Sequence, residues 1–287
     1  MENAGSSKVG SRPARREAFV VQRDWQKTSE ARGLINALLG RNKRKSFGLL
    51  EKPQFEQGGK MYPVLFRRLF LVGKSGVGKT STVHKLMGRD IPCVHEETLG
   101  IQTTALYWPV MLEADQRTVI VKLELWDVGE RMLSRFDHIL PTCKQSTDGI
   151  LFFFSYSDRH SWETLPQLFT SILGALPTPD TFNMVIGTHA DCSNREVSER
   201  ELERFQRQHK IIALPTSNVN TKRHAADPSV PDGRAAIEDI TVLMNDIVEV
   251  LLAYEKRKAT LSGRAKEEGL RSLDYILSIL PPYSELS

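Results

Sequence analysis

The segment Gly73–Thr80 reads GKSGVGKT, and it constrains the fold of this chain more than any other segment. It fits the pattern G-x-x-x-x-G-K-[ST] at every position. A short apolar run, Leu69–Val72, precedes it, and a segment with helical character, Lys79–Met87, follows it. A glycine-rich turn between a strand and a helix lets successive backbone N–H groups face one anion. The sequence therefore predicts a loop that binds a polyphosphate.

The residue types of this loop suit a nucleotide with bound magnesium. Gly76 and Gly78 allow the backbone to curl around the phosphates. Lys79 is expected to reach the β- and γ-phosphates, and the Thr80 hydroxyl is expected to ligate Mg²⁺. The predicted phosphate-binding residues in this region are Ser75, Gly76, Val77, Gly78, Lys79, Thr80 and Ser81.

Strand-like and helix-like segments alternate after the loop. The runs Thr103–Leu112 and Thr118–Trp126 predict a hairpin, while Gly149–Ser155 and Met184–Thr188 are nearly continuous apolar runs, typical of strands covered on both faces. Helices are predicted near 132–144, 161–173, 198–208 and 235–254. The order predicts an α/β fold with a six-stranded, mostly parallel, doubly wound sheet, one antiparallel edge strand, and helices on both faces.

Composition and charge divide the chain into three predicted parts. Residues 1–60 hold 13 Lys and Arg against 6 Asp and Glu, so the basic character belongs to an N-terminal extension and linker, residues 1–64. The main domain is predicted over residues 65–255. Residues 256–287 are predicted to form a tail in which apolar residues at helical spacing between 270 and 280 indicate a short amphipathic helix.

The densest basic cluster is Arg41 with residues 43–45, and it leaves several partners open. An anionic membrane surface, an acidic protein and nucleic acid all fit it, and a solvated flank without a partner is the plain alternative. Without interleaved aromatic residues it is weak evidence for nucleic-acid binding, which we do not expect. We expect no lipid anchor, because position 2 is not glycine and no cysteine lies near the C-terminus. We therefore expect at most peripheral membrane contact. The three cysteines are scattered and predict neither disulfides nor a metal site.

A carboxylate after the strand Met184–Thr188 predicts the choice of base. Asp191 can accept from both the ring N–H and the exocyclic amine of guanine, whereas adenine offers no matching pair of donors. The loop 214–218, LPTSN, is expected to approach the other edge of the base. The predicted guanine-binding residues are Thr188, His189, Asp191, Ser217 and Asn218.

Five motifs follow one another in a familiar order: GKSGVGKT, ETLGIQTT, LELWDVGE, GTHAD and PTSN. With these motifs, residues 65–255 resemble a Ras-superfamily small GTPase with Rab-like features, a P-loop NTPase G domain. The strings RNKRKSFGLLEKP, HEETLGIQTT and WDVGE further resemble the Rab-like GTPase of the ciliogenesis and planar polarity effector group.

The resemblance implies roles for three more residues. Thr98, in the first switch Glu97–Ile101, would ligate Mg²⁺ when a γ-phosphate is present, and Asp127 would hold the same ion through water. Gly129, in the second switch Asp127–Arg131, would sense the γ-phosphate through its N–H. The resemblance also implies GTP and GDP as ligands and the proteins Inturned, Fuzzy and Wdpcp as effectors. It places the chain in the cytoplasm, at the ciliary basal body and on the cytoskeleton, in cilium assembly and protein targeting.

The chain departs from the family pattern at two functional positions. Ordinary members read WDTAGQE, with a glutamine that orients the attacking water. Here the string is WDVGER, so Glu130 or Arg131 takes that position, and Glu130 is the candidate catalytic residue. His189 replaces the lysine whose stem usually covers the guanine.

Two functions remain open from the sequence. In the first, Mg·GTP orders the switches, an effector binds them, and slow hydrolysis releases it. In the second, the chain is a GTP-bound structural subunit of an effector complex with little or no hydrolysis. An ATP-dependent kinase or motor is disfavoured because the sequence shows no segment that resembles a substrate lid.

Overall fold

The computed structural model describes residues 20–42, 56–57, 60–92, 94, 96–135, 147–174, 181–218 and 234–261. Its strands are β1 Glu56–Gln57, β2 Lys60–Met61, β3 Val64–Gly73, β4 Ile101–Met111, β5 Thr118–Val128, β6 Gly149–Ser155, β7 Phe182–Thr188 and β8 Ile212–Pro215. Its helices are α1 Ser29–Asn42, α2 Lys79–Leu86, α3 Glu130–Arg135, α4 Arg159–Gly174, α5 Glu199–His209 and α6 Arg234–Leu261. None of these helices is long and apolar enough to cross a bilayer.

Six of the strands form one sheet in the order β4-β5-β3-β6-β7-β8. Strand β3 pairs in parallel with β5 and β6, β6 with β7, and β7 with β8, whereas β4 pairs antiparallel with β5 at the edge. Strands β1 and β2 pair with each other in a separate two-stranded sheet. The predicted six-stranded, mostly parallel sheet with one antiparallel edge strand is therefore confirmed.

Alternate residues of the central strands point into two apolar layers. Leu69 and Leu71 of β3 pack with residues of α2 and α6 on one face. Phe70 of β3 packs on the other face with aromatic residues of α4 and α5, including Trp162 and Phe205. Every residue of β6 is buried, as expected for a strand between two helical layers. Helices thus cover both faces, as predicted.

An N-terminal segment packs against the domain at its edge strand. Val21 forms a bridge with Leu112, just after β4, and the buried face of α1 packs with Tyr62, Tyr107 and Ile120. A helix over an edge strand shields backbone groups that would otherwise be open to pairing. The predicted tail helix near residues 270–280, residues 43–45 of the basic cluster, and two of the cysteines lie outside the described residues.

The carboxyl ends of the parallel strands meet at one edge of the sheet. Gly73 lies opposite Phe153, and Ser155 lies opposite Thr188, so the ends of β3, β6 and β7 are adjacent. Asp127, near the end of β5, lies opposite Leu71. In open α/β sheets ligands bind at this edge, which is where the predicted motifs converge.

Candidate functional site

The loop Gly73–Thr80 joins the end of β3 to the first turn of α2. Gly76 and Gly78 have φ angles of 82° and 92°, a backbone region that residues with a Cβ rarely adopt. These glycines let the chain turn back on itself, and Gly78 immediately precedes α2. The first N–H groups of a helix lack partners within it and carry partial positive charge. The loop therefore gives α2 a concave, electropositive end suited to a polyphosphate.

Lys79 lies across the inside of this loop. Its Nζ donates to two loop carbonyls at 2.8 and 3.0 Å, and the residue is only 6% exposed. Burial lowers the pKa of the ammonium group, while the carboxylates of Asp127, Glu130 and Glu97 oppose that shift. The positive charge is thus enclosed by the loop and faces acidic groups of both switches.

Three side-chain oxygens converge beside the loop. Thr80 Oγ1 donates to Asp127 Oδ2 at 2.5 Å, and it lies 3.1 Å from Thr98 Oγ1. Thr98 Oγ1 lies 3.5 Å from Asp127 Oδ2. The phosphate loop, the first switch and the end of β5 therefore each bring one side-chain oxygen to a single point.

The chemistry of this cluster fits Mg²⁺. Asp127 is 2% exposed, and its second oxygen, Oδ1, has no hydrogen-bond partner among the described residues. A buried carboxylate oxygen without a donor is costly unless a cation or an ordered water satisfies it. Mg²⁺ is typically bound by one or two protein oxygens together with phosphates and waters. In the described part of the chain, no three His, Cys, Asp or Glu side chains are arranged so that they could hold a metal ion by themselves.

The second switch lies against both the phosphate loop and the first switch. Gly129 N donates to Gly100 O at 3.0 Å, and Glu130 Oε2 accepts from Ser75 N at 2.8 Å. Arg131 Nε lies 3.1 Å from a carboxylate oxygen of the first switch. A Cβ on Gly129 would lie 2.0 Å from the backbone oxygen of Thr98, so only glycine fits this approach. The Gly129 N–H is thus engaged by the first switch in this structure.

At the end of β7, Thr188 and His189 connect the strand to the rest of the site. Thr188 is fully buried, and its Oγ1 lies 2.5 Å from Val77 O, to which it donates. His189 has a φ of 55°, and its Nδ1 lies 3.0 Å from Ser155 Oγ. The threonine therefore ties β7 to the phosphate loop, while the imidazole turns back towards β6.

Asp191 is exposed and lies near Ser217. The neighbouring Ser217 hydroxyl is the main cause that keeps the pKa of Asp191 below its ordinary value, and His189 and Lys85 act in the same direction. The Ser217 hydroxyl is close, but it completes no hydrogen bond of normal geometry among the described residues. The carboxylate of Asp191 is therefore favoured in its charged, accepting form.

The loop after β8 is attached to α2. Asn218 Nδ2 donates to Gly78 O at 3.2 Å and to Thr82 Oγ1 at 2.8 Å. Lys85 Nζ donates to Ser217 O at 2.6 Å. These contacts hold the two predicted base-binding segments and the phosphate loop in one unit.

A cleft of about 1090 Å³ opens over the loop and both switches. Val77, Asp127, Thr188, Asp191 and Ser217 do not line it; the first three are buried behind its walls. The predicted site residues that line it are Ser75, Gly76, Gly78, Lys79, Thr80, Ser81, Thr98, Gly129, Glu130, His189 and Asn218.

Sequence reasoning missed the supporting residues of this site. Thr82 and Lys85 lie three residues apart on α2, which places them on one helix face, but nothing in the sequence indicates the loop that they bind. The partner of the His189 ring, Ser155, ends a strand that is not adjacent in sequence. The carbonyl of Gly100 accepts from the second switch, and the sequence gives no sign of this contact beyond the place of Gly100 in the motif ETLGIQTT.

Fold and site together define a P-loop nucleotide-binding α/β domain. The sequence profile of the Ras family matches residues 68–225, more than half of the chain, and the chain belongs to this family. It therefore has the G-domain fold that the sequence predicted, and membership implies guanine nucleotide binding and GTPase activity.

Similar proteins match between about half and more than four fifths of the chain. Ciliogenesis and planar polarity effector 2 of Xenopus laevis is 39% identical over 248 residues, which are 86% of this chain and 98% of that protein. The Homo sapiens protein of that name is 39% identical over 84% of this chain and 93% of its own length. Ras-related protein Rab-7b of Homo sapiens is more distant, 27% identical over 53% of this chain and 74% of its own length.

Proposed function

We propose that this chain is a Mg·GTP-dependent switch that binds effector proteins only when its switches are ordered around a γ-phosphate. The observation that supports it best is the convergence of Thr80, Thr98 and Asp127 oxygens within 3.5 Å of one another. Thr98 belongs to the first switch, so an ion held by all three would couple that segment to the nucleotide.

The proposed roles follow the positions of the side chains. Ser75–Ser81 bind the phosphates, with the Lys79 ammonium at their centre. Asp191 selects guanine, and Thr188, His189, Ser217 and Asn218 shape the base site. Thr80, Thr98 and Asp127 hold Mg²⁺, which when bound neutralises part of the phosphate charge.

The proposal is tested by identifying the nucleotide that copurifies with the protein. Protein purified from cells is denatured, and the supernatant is separated on an anion-exchange column. We expect GDP or GTP at close to one per chain, and we expect Thr80→Asn to lose Mg·GTP binding together with effector binding. The proposal would be refuted if folded wild-type protein did not bind guanine nucleotides in the presence of Mg²⁺.

We propose slow intrinsic hydrolysis, below the roughly 3 × 10⁻⁴ per second of Ras. The contact between Glu130 and Ser75 N supports Glu130, rather than Arg131, as the residue in the glutamine position. A carboxylate there can bind a water, but its charge opposes the phosphoryl group. We expect Glu130→Gln to raise the single-turnover rate, and an unchanged rate would show that the residue is not what limits hydrolysis.

Glu130 also favours the second candidate function, a GTP-bound structural subunit with little or no hydrolysis, because its charge opposes the phosphoryl group. Single-turnover hydrolysis with and without cell extract separates the two. Acceleration by several orders of magnitude supports the switch, whereas persistent GTP regardless of extract supports the structural subunit.

We also propose a role in cilium assembly and in protein targeting to the basal body, with locations in the cytoplasm and on the cytoskeleton. The relatives named ciliogenesis and planar polarity effector 2 support this proposal. The proposed effectors are Inturned, Fuzzy and Wdpcp. Co-purification from ciliated cells tests it: we expect these proteins with the wild type and not with Thr80→Asn.

The division into an extension at residues 1–64, a G domain at 65–255 and a tail at 256–287 remains our proposal. Limited proteolysis with nucleotide bound tests the outer boundaries. We expect the first cuts to fall in the linker before residue 65 and in the tail after residue 255, and early cutting between 100 and 200 would contradict the division.

A further inference from the structure

The Glu130 carboxylate lies among groups that the proposed function gives to phosphate. Its Oε2 accepts from the backbone N–H of Ser75 at 2.8 Å, and both residues line the cleft. Its charge also acts on the buried ammonium of Lys79. The Glu130 side chain therefore occupies one N–H donor of the phosphate loop and partly offsets the positive charge of Lys79.

Contacts on both sides hold Glu130 in this position. Gly129 N donates to Gly100 O at 3.0 Å, and Arg131 forms an ion pair with Glu97 at 3.1 Å. Residues 129–131 are thus attached at three consecutive positions, to the loop and to the first switch. We call these three contacts the second-switch latch.

A γ-phosphate and the Glu130 carboxylate would compete for the N–H groups of the phosphate loop and for the Lys79 ammonium. Each is an anion, each seeks the N–H groups and the ammonium of the loop, and like charges at close range repel strongly in a partly buried cleft. A nucleoside diphosphate brings no third phosphate to the second switch. It can therefore bind while the latch stays closed, whereas a triphosphate has to displace Glu130 from Ser75.

We propose that Glu130 sets the nucleotide preference of this protein, favouring GDP over GTP by competing with the γ-phosphate for the phosphate loop. This rests on the proposed binding of guanine nucleotides, but it concerns equilibrium binding and is independent of the hydrolysis rate. The latch opens when the γ-phosphate binds, so the same residue makes effector recruitment depend on a high ratio of GTP to GDP or on a partner that stabilises the open form.

The test compares dissociation constants of the full chain for GDP and for the non-hydrolysable analogue GppNHp, both with Mg²⁺. The variants are Glu130→Gln, which removes the charge but keeps an acceptor, and Glu130→Ala, which removes both. We expect the ratio of the GppNHp constant to the GDP constant to fall about tenfold in both variants. The GDP constant itself should stay within twofold of wild type.

Glu96→Gln is the matched control, since Glu96 also lines the cleft but makes no hydrogen bond or ion pair with the phosphate loop among the described residues. It should leave the ratio unchanged. A ratio that moves less than twofold in both Glu130 variants overturns the inference, as does an equal gain for both nucleotides, which would indicate general relief of negative charge. If the folded wild type binds neither nucleotide, the proposed function fails instead, so the two failures are distinguishable.

Discussion

At the scale of single residues, the site relies on side chains whose partners hold them in one charge state or one orientation. The pKa of Asp191 is kept below its ordinary value by the Ser217 hydroxyl, so its carboxylate accepts hydrogen bonds throughout the neutral range. Asp127 is buried with one oxygen engaged by Thr80 and the other without a donor among the described residues.

Asp191→Asn should weaken binding of GDP by roughly 100-fold or more. An amide replaces one accepting oxygen by a donor, so it loses charge-assisted hydrogen bonds to guanine that are each worth about 1.5–3 kcal/mol. The dissociation constant measured by fluorescence with a labelled GDP checks this. Asp115→Asn, in the turn between β4 and β5, is the control and should bind like wild type. A loss below tenfold would remove Asp191 from the base site.

At the scale of elements, the N-terminal segment is attached to the domain by hydrogen bonds as well as by packing. Glu249 on α6 is 9% exposed and accepts from Val20 N and Val21 N, each at 2.8 Å. Arg23 forms an ion pair with Asp246 one turn earlier on the helix, at 2.7 Å. The segment thus binds α6 on one side and the edge strand β4 on the other. The described residues 20–42, although they precede the proposed boundary at residue 65, are therefore packed against the domain.

Glu249→Ala should lower the free energy of unfolding by about 2–3 kcal/mol, because two N–H groups lose a charged acceptor. Glu249→Gln retains one acceptor and should cost about 1 kcal/mol. Urea denaturation followed by tryptophan fluorescence measures both. Val242→Ala, at a position that is 65% exposed on the same helix, should change stability by less than about 0.5 kcal/mol. Equal effects at positions 249 and 242 would show that the segment is not docked through this carboxylate.

Helix α5 should show acid sensitivity from its N-terminal capping box. The backbone N–H of Ser198, with Arg159 and the Ser198 hydroxyl, lowers the pKa of Glu201 from 4.5 to about 2. A lowered folded pKa means that the stabilisation is fully present above pH 4.5 and disappears as the pH falls towards 2. The melting temperatures of wild type and Glu201→Gln should therefore differ at pH 6, still differ at pH 4, and converge as the pH approaches 2. A constant difference across this window would contradict the assignment.

At the scale of the whole molecule, the apolar pattern predicted the sheet well and the ends of its strands less well. Strand β6 was predicted with its observed limits, because its sequence is a nearly continuous apolar run and all its residues are buried. Strand β3 was predicted as Leu69–Val72 but begins at Val64. Arg67 and Arg68 interrupt the apolar run, and Arg67 is buried because it forms an ion pair with Glu255 on α6. A single sequence does not show such a distant partner, so the strand appeared too short.

For the site, the sequence allowed residues to be proposed where they are consecutive in the chain, and it did not show the contacts between distant segments. The phosphate loop could be recognised because its residues are consecutive. The docking of residues 20–39 could not, since Glu249 is one of several acidic residues on α6, and only the fold brings it to Val20. The contact of Glu130 with Ser75 likewise depends on how the shortened second switch leaves β5.

Binding of Mg²⁺ and nucleotide should stabilise the entire domain, since the proposed ligands of the ion come from three separate segments. A ligand at 100 times its dissociation constant adds about 2.7 kcal/mol to the free energy of unfolding. Saturating GDP should therefore raise the melting temperature, and EDTA should remove part of that gain. Asp127→Asn should still gain stability from GDP, because the phosphate loop and Asp191 are intact, but EDTA should no longer change its melting temperature. If EDTA lowers the melting temperature of Asp127→Asn as much as that of wild type, the ion is bound elsewhere, and the coupling of Thr98 to the nucleotide fails with it.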